Sequence, residues 1–281
     1  MLAALIIMFR EVIEAGLIVG IVLAATKGVR NRGRWVAYGI GAGVLGACFV
    51  AAFAGEISSL FAGSGQEIFN AAVLFLAVAM LTWHNVWMSS HGREMAARMR
   101  NMGAAVSAGE RSLVALAVVV GVAVLREGSE AVLFLYGIWS QGGASALSML
   151  AGAGLGIAAG AGLSALMYFG LVAIPARKLF SVTSGLITLL AAGMAAQAVL
   201  YLQNGGYLNF LLRTVWDTSW LLPDGGKGWR ALIGKMLHTL IGYTAAPDGA
   251  QILAYLATVL TIVGLTRLER VRRPVAMPKA A

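Results

Sequence analysis

Long apolar runs separated by short polar connections dominate this chain. The runs fall at about 2–25, 35–55, 67–89, 112–139, 146–172, 178–203 and 249–267. Each is close to the ~20 residues that a helix needs to cross a bilayer. The pattern predicts an all-α integral membrane protein with seven transmembrane helices. Gly falls inside the runs: Gly16 and Gly20, Gly39 and Gly43, and the series Gly152, Gly156 and Gly160 are four-residue stripes. Small residues at that spacing let helix backbones approach closely in lipid.

Basic residues sort the connections. Lys27, Arg30, Arg32 and Arg34 crowd the first; Arg93, Arg98, Arg100 and Arg111 lie in the third; Arg177 and Lys178 in the fifth; Arg267, Arg270, Arg272, Arg273 and Lys279 at the C-terminal end. The second connection, Gly55 to Gln66, and the fourth, Gln141 to Ser145, carry none. Such alternation predicts an N-terminus outside and a C-terminus in the cytoplasm. The first run has no basic stretch before it and carries charges in its middle, so it is expected to be a retained span and not a cleaved signal. The sixth connection, about 204–248, is long, and its stretch from Trp229 to Tyr243 has the amphipathic pattern of a helix lying on a membrane surface.

Two runs break the apolar rule in the same way. Arg10-Glu11-Val12-Ile13-Glu14 sits in the first span and Arg126-Glu127-Gly128-Ser129-Glu130 in the fourth. A charge near the bilayer centre costs roughly 2.5–3.5 kcal/mol on insertion scales, so six unpaired charges would cost about 15–20 kcal/mol. Groups that expensive point to a site. Within each motif the two carboxylates, three residues apart, share a helix face, and the Arg can reach the second Glu four residues on.

Placing Arg10 over Arg126 brings FREVIEAGLIVGIVLA over LREGSEAVLFLYGIWS. Spans one to three then match spans four to six with opposite orientation, a 3+3 inverted-topology repeat plus a seventh helix. Repeat one covers about 1–90, repeat two about 112–203, the outer loop about 204–248, the seventh span about 249–267 and the basic cytoplasmic tail 268–281, all within a single membrane domain. Glu11 lies about 14 Å below the outer start of its helix, and Glu127 about 22 Å above the inner start of its own, at 1.5 Å per residue. In a ~30 Å core both motifs reach nearly one level. Four carboxylates without thiolates suit a hard cation, which would let them ionise together. The arginines Arg10 and Arg126 are supporting ion pairs.

Composition narrows the class further. The chain is 281 residues long, 59% hydrophobic and 12% charged. Its net charge of +9 sits in connections, so no nucleic-acid face is expected. The lone Cys48 is expected to be a packed thiol. There is no H-E-x-x-H motif and no Ser/His/Asp constellation, so an enzyme is not expected. His84 in span three and Gln197 in the corresponding span six are candidate pathway residues, as is Asp217 in the outer loop. A hydrogen bond between helices is the plainer role for His84. Trp83 and Trp87 are expected in an interfacial belt. From residues alone the site is a cation site in a transporter. Which cargo is carried stays open: a divalent metal such as manganese or lead, or protons exchanged for a solute, with a metal-binding membrane sensor as the rival from another class.

The doubled R-E-x-x-E pair resembles the oxidase-dependent iron permease family, which includes the fungal high-affinity and bacterial iron-uptake permeases. The stretch AAGMAAQAVLYL, Trp216-Asp217-Thr218-Ser219, and Gly242-Tyr243 before Pro247 are similar too. The resemblance implies Glu11, Glu14, Glu127 and Glu130 as the metal residues, with Fe3+ or Fe2+ as transported substrate and no permanently bound cofactor. It also implies a partner iron oxidase, a periplasmic or extracellular iron-binding protein, and a place in the cytoplasmic membrane. A homo-oligomer is left open.

Overall fold

The computed structural model describes residues 1–60, 66–140, 145–171, 176–223 and 228–272. Asp224, most of the fourth connection and the end of the basic tail lie outside them. The described residues form eight α-helices: α1 (Leu2–Ala25), α2 (Arg32–Leu60), α3 (Gln66–Ser107), α4 (Leu113–Ser140), α5 (Ala146–Tyr168), α6 (Ala176–Asn204), α7 (Trp229–Ile241) and α8 (Gly249–Arg272). Segments of α2, α3, α5, α6 and α8 are long and apolar enough to cross a membrane. The two helices that carry the charged motifs, α1 and α4, are of similar length at 24 and 28 residues. This is a multi-pass, all-helical membrane protein.

Local chemistry sets several of the ends. Ser145 caps α5 by accepting from the Ser148 backbone N–H at 3.2 Å. Asp248 and Gln251 cap α8 reciprocally: Gln251 N–H donates to Asp248 Oδ1 at 2.8 Å, and Asp248 N–H donates to Gln251 Oε1 at 3.0 Å. The third helix departs from the sequence expectation. It does not stop near residue 89 but continues to Ser107. The continuation MAARMRNMGAA is rich in strong helix formers, and Arg98 donates to Glu94 at 2.6 Å one turn away. It ends where Gly109 takes φ +78 and the Glu110 N–H reaches back to Ala105 O at 2.9 Å. Its last turns are pinned to the end of α1, with Ser107 Oγ donating to Ala25 O at 2.9 Å.

Packing divides the bundle into a centre and a rim. α1, α3, α4 and α6 meet in the middle, where Ile7, Leu74, Leu81, Phe134, Ile187 and Met194 are essentially inaccessible. α2 lies along α4, α5 lies along α1, and α8 packs on α6 and α3. Lipid is as apolar as these side chains, so burial from water cannot drive such contacts; close backbone approach does. A Cβ on Gly43 would lie 2.7 Å from Gly121 O, and one on Gly156 would lie 2.5 Å from Leu5 O. The two interfaces share a register. Gly39 faces Ala117 O as Gly152 faces Met1 O. Gly43 faces Gly121 O, Val124 Cβ and Leu125 N as Gly156 faces Leu5 O, Met8 Cβ and Phe9 N. Each α4 partner is its α1 counterpart plus 116, the same offset that separates Arg126 from Arg10.

Only the glycine face of α2 packs inward. Cys48 therefore sits exposed on the opposite face beside Phe49, not in a packed core as the sequence implied. In the long connection, Trp229–Ile241 is helical as its pattern predicted, with Trp229, Leu232, Ile233 and Met236 on the outward face. Its end does not stay at the rim. Gly242, at φ +70, lies against Gly193 so closely that neither position has room for a Cβ. Gly193 is 11 residues before the end of α6 at Asn204, a depth of about 16 Å.

A buried centre of carboxylates and imidazole

α1 and α4 bring their charged turns to one point. α3 contributes to the same point from the side. Arg126 on α4 stacks over Trp87 on α3, and Glu130, one turn later on α4, meets His84, one turn earlier on α3, so these two helices run antiparallel. α3 and α1 run the same way, since His84 pairs with Glu14 and Ser107 with Ala25. α1 and α4 are thus antiparallel where their motifs meet.

Each motif makes the same internal pair. Arg10 Nε lies 2.9 Å from Glu14 Oε1, and Arg126 Nε lies 3.0 Å from Glu130 Oε1. The helical period makes both pairs possible before any tertiary contact. Further ion pairs are looser, Arg10 to Glu11 at 3.6 Å and Arg126 to Glu127 at 3.9 Å. His84 joins the motifs. Its Nε2 lies 3.3 Å from Glu14 Oε2, and its Nδ1 contacts Glu130 Oε2. One ligand atom from each of Glu11, His84, Glu127 and Glu130 falls within 4.8 Å of all the others. Glu11 and Glu127 are both buried. If all four carboxylates ionise, they outnumber the two guanidiniums and a charged His84. Crowded, dry carboxylates of this kind favour a cation among them.

Two cavities open onto the centre from different sides. One, about 310 Å³, runs between Ile18, Met95, Met99 and Val122 to Arg126 and Glu127. The other, about 340 Å³, is lined by Ala79, Met80 and Trp83 and ends at His84 and Glu130.

The remaining sequence candidates lie elsewhere. Gln197 on α6 shares a hydrogen bond with Tyr201, whose hydroxyl donates to Ser140 O at 2.6 Å; it is not among the grouped ligand atoms. Asp217 is in the long connection. Its carboxylate accepts from the Ser219 hydroxyl at 2.5 Å and the Ser219 N–H at 2.9 Å, which holds it below the usual carboxylate range. Trp83 is exposed as a belt residue would be, but Trp87 is half-buried, with the Arg126 guanidinium 4.5 Å above its ring. That role was hidden in the sequence, because a Trp near a span end reads as an interfacial anchor. Asn85 ties α3 to α6, donating to Thr188 Oγ1 at 3.0 Å and to Ser184 O at 3.3 Å.

The class these features define is a multi-pass helical membrane protein built around a buried, net-acidic set of ligand atoms. Comparison with known proteins makes it particular. The Iron permease FTR1 family matches residues 1–273, and the chain belongs to that family. It is 30% identical over 260 residues to the ferrous iron permease EfeU of Escherichia coli O6:K15:H31 and to that of Shigella sonnei strain Ss046, covering 90% of this chain and 90% of each relative. The ferrous iron permease EfeU of Yersinia pestis is 29% identical over 260 residues, covering 91% of this chain and 89% of the relative. No solved structure matches the chain. The family and these relatives are permeases, not enzymes.

Proposed function

We propose that this chain is an iron permease of the cytoplasmic membrane and that iron crosses it through the centre where the two Arg-Glu-x-x-Glu turns meet. The observation that carries this reading is the convergence of Glu11, Glu127 and Glu130 with His84 within 4.8 Å, inside mostly apolar stretches of α1, α3 and α4. Glu14 completes the set of four carboxylates through His84. Iron is the substrate here, and the carboxylates replace its water shell.

Alternating access is the mode of transport in this reading. It treats α1–α3 and α4–α6 as inverted repeats, with α8 as a seventh membrane-crossing helix and α7 as part of the outer connection. The glycine interfaces support the repeat, since their contacts recur at the motif offset of 116. The antiparallel meeting of α1 and α4 supports its inverted sense. The two cavities support a two-sided path: one ends at Glu130 and the other at Glu127. With the basic connections cytoplasmic, the N-terminus is outside, and the His84–Glu130 cavity receives iron while the Glu127 cavity releases it.

The reading also keeps a partner oxidase and an external iron-binding protein, and leaves a homo-oligomer open. The test is iron flux into proteoliposomes loaded with a metal-sensitive dye. Purified wild-type protein should carry iron at a rate that Glu11→Gln and Glu127→Gln abolish. A wild-type protein that binds iron without carrying it would favour a sensor. Stronger competition by manganese or lead than by iron would favour another cargo.

A further inference from the structure

We infer that His84 is a nitrogen ligand to the transported ion, oriented by Glu14, and that it sets the preference of the site for transition metals over calcium and magnesium. The inference rests on the permease reading above and adds a residue and a selectivity to it.

The geometry has three parts. First, His84 is 2% exposed and stands at the meeting of α1, α3 and α4, the only nitrogen donor among the grouped ligand atoms of the described residues. Second, its two ring nitrogens have different neighbours. Nε2 faces Glu14 Oε2 at 3.3 Å, and Glu14 is itself fixed by Arg10 at 2.9 Å. A carboxylate held in this way accepts the Nε2–H, and an incoming cation displaces the proton held between Nδ1 and Glu130 and takes the Nδ1 lone pair. That is the arrangement by which metal-bound histidines are oriented, with the second ring N–H donated to a carboxylate. Third, Nδ1 contacts Glu130, and Glu11 and Glu127 each offer an oxygen within 4.8 Å of a ring nitrogen of His84. Three carboxylates and one imidazole nitrogen then surround a single position.

Carboxylates alone do not separate iron from calcium or magnesium, since all three accept oxygen ligands. An imidazole nitrogen binds first-row transition ions and adds little for calcium or magnesium. Glu14 in this arrangement is a positioning residue, and Arg10 holds it in place.

Two measurements test the inference. In the first, detergent-solubilised protein is loaded with Mn(II) as probe, and nitrogen hyperfine coupling is read by pulsed electron paramagnetic resonance. Wild-type protein should show coupling to a directly bound imidazole nitrogen, and His84→Gln should lose it. In the second, iron flux into proteoliposomes is measured against excess Ca2+. A ~100-fold excess should lower wild-type flux less than about twofold and His84→Gln flux about tenfold, because Gln offers an oxygen in place of the nitrogen. His84→Met should lose the coupling but resist Ca2+, since a thioether is no better a ligand for calcium. A wild-type spectrum without nitrogen coupling would overturn the inference with no variant required. So would unchanged calcium resistance in His84→Gln. Absent iron flux in wild-type vesicles would instead sink the permease reading, and the Mn(II) spectrum would still report on His84.

Discussion

The two motifs share a spelling and a local geometry, yet they occupy different environments. In α1, Arg10, Glu11 and Glu14 are 1–2% exposed. In α4, the Arg126 side chain is 34% exposed and that of Glu130 14%. Both arginines pair with the carboxylate one turn ahead at nearly the same distance. Arg10 then stays enclosed with Glu11, whereas Arg126 leans over Trp87 and borders a cavity. A local pattern fixes which groups pair within a helix. The helices packed around each turn decide which copy is sealed and which is open.

The comparison breaks most directly at the carboxylates. Removing Glu11 or Glu127, as Glu→Gln, is expected to lower iron uptake on the order of a hundredfold or more, with the protein still inserted in the membrane. Uptake of radiolabelled iron measures it. If one half tolerated the loss, the ion would be held by a single motif, and the paired centre would be wrong.

The arginines sharpen the difference between the halves. Arg10→Ala leaves Glu14 buried without its closest partner, a change that typically costs 3–5 kcal/mol, or about that much in detergent unfolding experiments. Arg126→Ala should cost about 1 kcal/mol or less, because the Arg126 side chain is a third exposed and Glu130 keeps His84. Equal losses would contradict the sealed-versus-open distinction.

The glycine interfaces test equivalence instead of difference. Gly156→Val and Gly43→Val each force a side chain into a backbone carbonyl, with an expected destabilisation of about 1–3 kcal/mol apiece. Thermal unfolding of the two variants should agree closely, since the contacts match atom for atom. A large gap would show that the shared register has no energetic counterpart.

The smallest effect belongs to the long connection. Asp217 is bonded to Ser219 and lies away from the grouped ligands, so Asp217→Asn should change uptake less than about twofold. A tenfold loss would move the entry of iron to that loop.

Much of the fold was legible because lipid imposes simple rules. Apolar span lengths and helix-packing glycines each reflect one property of the bilayer, and no tertiary knowledge is needed to read them. The capping pair of Asp248 and Gln251 is local in the same sense. The continuation of α3 to Ser107 was hidden because hydropathy ends near residue 89 while helix propensity does not. The exposure of Cys48 depends on which face of α2 meets α4, and hydropathy is equal on both faces.

Sequence alone determined that charge sits twice within apolar helices, each time with an internal Arg–Glu pair, since a helix of 3.6 residues per turn brings residues four apart together anywhere. Tertiary structure alone decided that α3 would lay His84 between Glu14 and Glu130 and Trp87 beneath Arg126. Those neighbours are 39 to 70 residues away along the chain and are set by how three helices cross, a matter of backbone approach that no single segment encodes.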